Sequence, residues 1–147
     1  MKRNAFHAAL FVLFWLLTLS QAAAADDAAA NDAIKDAAQK ASGAWLNLVD
    51  KGEYTESWKE AAAYFKGAVS EKQWKESLDG HRKPLGKVLS RTVKIRTYSK
   101  TLPGAPDGEY VVILYDTSFE NKASAIETVT PMLDKDGKWR VAGYYIK

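Results

Sequence analysis

The chain has 147 residues, with 21 basic and 18 acidic side chains, two histidines and no cysteine. That length suits one domain with its own core, and the missing cysteines exclude disulfide staples, thiol catalysis and any thiolate metal site. The small excess of positive charge gives no basic stripe of the kind that binds nucleic acid.

Residues 1–25 read as a secretory signal peptide. Lys2 and Arg3 form a basic start, Ala8 to Leu19 an apolar run, and Gln21 to Ala25 a small-residue cleavage zone, so cleavage is expected near Ala25. The apolar run is shorter than the roughly 20 residues of a spanning helix, so no membrane span is expected after cleavage. Export places the mature domain, residues 26–147, in the periplasm. Losing Lys2 and Arg3 leaves 19 basic against 18 acidic side chains, and no nucleic-acid partner is expected.

From Asp26 an alanine-rich stretch repeats apolar residues at three- and four-residue steps through Ala38, Ala41, Trp45, Leu48 and Val49, which predicts a long amphipathic helix ending at Gly52. A second helix is expected from Glu53 to Lys66, with Tyr54, Trp58, Ala61, Ala62 and Phe65 on one face. Ser70-Glu71-Lys72-Gln73 is a capping box. It opens a third helix carrying Trp74, Leu78, His81 and Leu85, which Pro84 stops near Arg82.

Four strands follow. Val88 to Tyr98 alternates Arg91, Val93, Ile95 and Thr97 against Ser90, Thr92, Lys94 and Arg96. Tyr110 to Phe119 is apolar on both faces, as a central strand is. In Ala123 to Leu133 the residues Ala125, Glu127, Val129 and Leu133 share a face, and Pro131 marks an edge or a bulge that would shift the register. An Asp136-Gly137 turn leads into the final strand, where alternation puts Trp139, Val141, Gly143 and Tyr145 on one side and Arg140, Ala142, Tyr144 and Ile146 on the other. Helices first and a meander after predict an α+β domain, three N-terminal helices on one face of a four-stranded antiparallel sheet.

With His7 in the leader, His81 is the one imidazole of the mature domain, so no histidine metal cluster can form and no motif requires a metal or a cofactor. Arg91 and Glu127 each interrupt the apolar register of a strand, which turns both toward the helices. Buried charges need partners. They form either an internal ion pair, alone or with Arg82, or the polar floor of a ligand pocket with Trp58, Tyr115 and Tyr145 as walls. No pair of carboxylates stands at a spacing that suggests glycosidase chemistry.

The combination of Ser57-Trp58, Phe65, Trp74, Arg82-Lys83-Pro84-Leu85-Gly86, Arg91, Tyr110, Phe119, Glu127 and the ending Gly137-Lys138-Trp139-Arg140-Val141-Ala142-Gly143-Tyr144 resembles the bacterial exported family known as domain of unknown function 4019, DUF4019. The resemblance spans about residue 33 to the end and implies no catalytic residues. It also suggests a cystatin-like or nuclear-transport-factor-2-like cone. The function expected is non-catalytic binding of a small ligand or an envelope protein. The alternatives are a small hydrolase or isomerase with Glu127 as base, assisted by His81, and a homodimer joined through the outer face of the sheet at Val112, Leu114 and Tyr144.

Overall fold

A computed structural model describes residues 6–147, with side chains from residue 26 onward. The expected leader falls on residues 1–25. Of these, 1–5 lie outside the described residues and 6–25 are described as backbone alone. Contacts divide the chain into two units, Met1–Ile34 and Lys35–Lys147. Among the described residues no helix is long and apolar enough to cross a membrane.

Helix α1 spans Phe6–Asp50. Its buried face, Ala38, Ser42, Trp45, Leu46 and Val49, keeps the helical three- and four-residue spacing. Gly52 at φ 75° ends it, with the N–H groups of Gly52 and Glu53 donating to the carbonyls of Val49 and Leu48. The single second helix expected from Glu53 to Lys66 is two short ones, α2 (Tyr54–Lys59) and α3 (Ala63–Ala68). The break falls at Ala61 and Ala62, both fully buried, where Ala62 turns extended and its N–H donates to the Val141 carbonyl at 2.8 Å. Two residues without side-chain bulk bring the backbone against the sheet, and that bond replaces a helical one. Helix α4 (Glu71–His81) starts in the expected capping box. The Gln73 N–H donates to Ser70 Oγ at 3.3 Å, and the Ser70 N–H to Gln73 Oε1 at 3.0 Å. A 3₁₀ turn over Lys83–Leu85 and Gly86 at φ 76° pass the chain into the sheet.

Strands β1 (Val88–Ser99), β2 (Tyr110–Phe119), β3 (Lys122–Leu133) and β4 (Trp139–Ile146) form an antiparallel meander in the order β1-β2-β3-β4. The protein is therefore α+β. Its helices cover the sheet face that carries Ile113, Tyr115, Thr117, Phe119, Ala125, Glu127, Val129 and Val141, all buried. Strand β2 is internal, as its apolar faces predict. Pro131 sits on an internal strand rather than an edge, and the register beside it shifts: Thr130 pairs with Gly143 but Pro131 with Val141, so Ala142 is an extra residue. This bulge overturns the alternation expected for the last strand. Val141 and Tyr144 both face the helices, and Tyr145 faces out with 63% of its surface exposed. Strand β1 also carries shifts, one of them between Val93 and Ile95, so Arg91 and Val93 face in while Ile95, paired with Leu114, faces out.

Between sheet and helices lies an aromatic cluster. Trp74 packs on Trp45 (centroids 5.7 Å apart) and on Phe65 (5.1 Å), and Tyr144 meets Trp45 edge-on at 5.4 Å. Both buried indoles are satisfied at one residue, Trp45 Nε1 donating to the Ser57 carbonyl at 2.7 Å and Trp74 Nε1 to Ser57 Oγ at 2.9 Å.

Candidate functional site

The last turn of α1, the end of α4 and all four strands converge on a cluster of charge under the helical layer. Arg91, from β1, holds two carboxylates at once. Its Nε and Nη2 donate to the Glu127 oxygens at 2.5 and 3.1 Å, and its Nη1 and Nη2 to the Asp50 oxygens at 2.7 and 3.0 Å. Such fork geometry suits guanidinium and not ammonium. Arg82 donates from Nη2 to Asp50 Oδ1 at 3.0 Å and from Nη1 to the Gly86 carbonyl at 2.8 Å, and its guanidinium lies 4.6 Å above the Phe119 ring. Two cations and two anions leave the cluster neutral, the condition under which charge survives burial.

Glu127 is wholly buried and accepts four hydrogen bonds: two from Arg91, one from Thr117 Oγ1 at 2.8 Å and one from the Tyr144 hydroxyl at 2.7 Å. Burial, reinforced by the Glu127 charge and bond, pushes the Tyr144 hydroxyl well above the ordinary tyrosine range, so it stays a donor. Burial works against the charge of Arg91, but the bonds to Asp50 and Glu127 outweigh it and hold the guanidinium above its usual value. Tyr115 stands beside the cluster, its hydroxyl 3.0 Å from Ser42 Oγ, and burial raises it despite the Ser42 bond and the Arg91 charge.

Of the residues singled out in the sequence, Arg82, Arg91 and Glu127 come together, and Tyr115 lies next to them. Trp58 does not join. It is half-buried on α2, with Nε1 donating to the Val69 carbonyl at 2.7 Å. Tyr145 points away from the cluster because of the β4 bulge, and Tyr144 occupies the inner position. His81 is exposed at the end of α4, its Nδ1 3.0 Å from the Ser77 carbonyl. Asp50, Thr117 and Tyr144 are the members that the sequence reading missed. Asp50 follows Leu46 by four residues and so shares its buried face, and Thr117 is the cross-strand partner of Arg91.

Two depressions reach the cluster through Arg82. A cleft of about 250 Å³ between α4 and the end of β4 is walled by Trp74, Leu78, Tyr144 and Ile146 with His81 and Tyr145 near its rim. A more open and polar hollow of about 690 Å³ lies where Asp50, Tyr54, Asp79, Lys83, Lys87 and Glu120 surround Arg82. Among the described residues the Arg82 Nε is the buried side-chain nitrogen or oxygen without a hydrogen-bond partner, and no group of three or more His, Cys, Asp or Glu is placed to hold a metal.

Helices laid on one face of an antiparallel meander, with a neutral ion cluster between the layers, define a small α+β domain. Residues 41–144 match the family described as Protein of unknown function (DUF4019), and the chain belongs to that family. No curated protein matches it. In fold it is similar to the structure of a protein from Catenulispora Acidiphila, at 11% identity and a TM-score of 0.52 over 80% of this chain and 93% of that one. That likeness is one of fold alone.

Proposed function

We propose that the protein is a non-catalytic binding module of the bacterial envelope, exported to the periplasm with cleavage near Ala25, whose mature domain (residues 26–147) seats a small ligand in the cleft between α4 and β4. The observation that carries this reading is the saturation of Glu127. Four donors occupy its carboxylate, which leaves it no free lone pair with which to take a substrate proton. The reading of Glu127 as a general base, with His81 assisting, therefore draws no support from the geometry. The cleft suits binding instead, because its walls are aromatic and aliphatic and its floor is tied through Arg82 and Tyr144 to the hydrogen-bonded charge cluster. Its volume suits a molecule with a small apolar body.

Native mass spectrometry of protein purified gently from the periplasm tests this. A retained small molecule is expected, and it should be lost from Ser77→Trp, which fills the cleft from an exposed rim position. Bare protein whose tryptophan emission also ignores a set of small aromatic and aliphatic probes would overturn the reading.

A further inference from the structure

An antiparallel sheet with one face in water alternates apolar residues inward with polar residues outward. The outer face here departs from that pattern. Ile95, Leu114, Thr128 and Tyr145 pair in one unbroken row across all four strands. Val112 lies on one side of this row and Ile126 on the other, and Ile95 and Tyr145, at opposite edges, are 48% and 63% exposed. At one end the loop before β2 folds over Tyr110, whose hydroxyl donates to the Pro106 carbonyl at 2.6 Å.

We propose that this face docks a second copy of the chain. The charges in its middle rows are Lys94 and Asp116, bonded to each other at 3.1 Å, and Lys147 at the outer edge opposite Ile126, so the face holds no concentration of one charge to draw a polyanion or an anionic membrane. Four strands at about 4.8 Å spacing and about nine residues of length present roughly 600 Å² in projection, of the order of the about 800 Å² per partner that a stable interface buries. The row is also self-complementary. A two-fold axis along the strands, between Leu114 and Thr128, sets Ile95 of each copy against Tyr145 of the other, as an isologous contact requires. The proposal replaces Tyr144, which faces the helices, with Tyr145 as the outward aromatic.

Sedimentation equilibrium of the protein purified from the periplasm, over a wide concentration range, is the test. Twice the mass of the single chain is expected at the high end, with dissociation on dilution. Thr128→Arg, at the centre of the row, should raise the dissociation constant by about tenfold or more, and Tyr145→Ser should raise it less, both with an unchanged melting curve at a dilution where the chain is monomeric. Should Thr128→Arg fail to fold, the exposed Tyr145→Ser carries the test alone. A monomer at every concentration overturns the proposal, as does a dimer indifferent to both substitutions, which would place the contact elsewhere.

Discussion

Glu127 and Tyr144 hold each other in fixed protonation states, and that bond gives the site its measurable signature. Glu127→Gln keeps the shape but puts an N–H₂ group where Arg91 and either Tyr144 or Thr117 already donate, and it leaves a half-buried guanidinium with one carboxylate instead of two. Breaking a buried pair from one side costs about 3–5 kcal/mol, to be read from urea unfolding. Tyr144→Phe removes one bond to a charged acceptor and should cost about 1.5–3 kcal/mol. The tyrosine also sets a pH dependence. Its folded-state pKa is raised, so the unfolded chain releases the phenolic proton first, from about pH 10. Stability is therefore fully present below that pH and falls above it. Tyr144→Phe should flatten this alkaline decline, and an unchanged slope would count against the buried, protonated phenol. Arg91 and Glu127 were legible in the sequence because charge at an inward strand position has few explanations. Asp50 was not, because a carboxylate in the last turn of a helix ordinarily meets water.

At the level of elements, the joints decide where the charged residues arrive. Gly86 turns the chain from the 3₁₀ segment into β1 at φ 76°, and a Cβ there would lie 2.7 Å from Glu120 Oε2 and 2.9 Å from Glu120 Cβ. Gly52 has nearly the same φ and open space around it. Gly52→Ala should therefore cost only the left-handed backbone term of about 1–2 kcal/mol, and Gly86→Ala distinctly more, in parallel thermal melts. Equal losses would mean that neither Glu120 nor the Gly86 backbone, at φ 76° and ψ −155°, resists a Cβ. The capping box, the internal place of β2 and the hairpin before β4 were all legible, since each is written in a few adjacent residues. The break between α2 and α3 was not, because its cause is a hydrogen bond to Val141 about 80 residues away in the chain. The inward turn of Tyr144 escaped for a related reason. A bulge shows in the pairing of two strands, and Pro131 alone could only point to its neighbourhood.

Across the whole molecule the cluster joins α1, the end of α4 and strands β1, β2, β3 and β4 through six side chains: Asp50, Arg82, Arg91, Thr117, Glu127 and Tyr144. A domain without disulfides gains a cross-link of sorts there, and the members should not act independently. In a double-mutant cycle, Arg91→Met with Glu127→Gln should cost less than the sum of the single changes by about 1–3 kcal/mol, because each single change strands a charge that the double removes. Additive losses would mean that the forks seen here contribute little in solution. The α+β class was legible from element order alone, and the layer that each face meets became visible only with the strand register.

The bulge at Ala142 bears on how the chain can change in length. Removing one residue from a strand ordinarily turns everything beyond the cut over to the opposite face of its sheet. Ala142 has no partner across the ladder, so its excision joins Val141, facing in, directly to Gly143, facing out, and leaves Tyr144 pointed at Glu127. The end of this protein should thus tolerate a deletion that the middle of β2 or β3 would not. Near-ultraviolet circular dichroism of the shortened chain, set against a deletion of Leu114, would show whether the aromatic cluster survives one and collapses in the other.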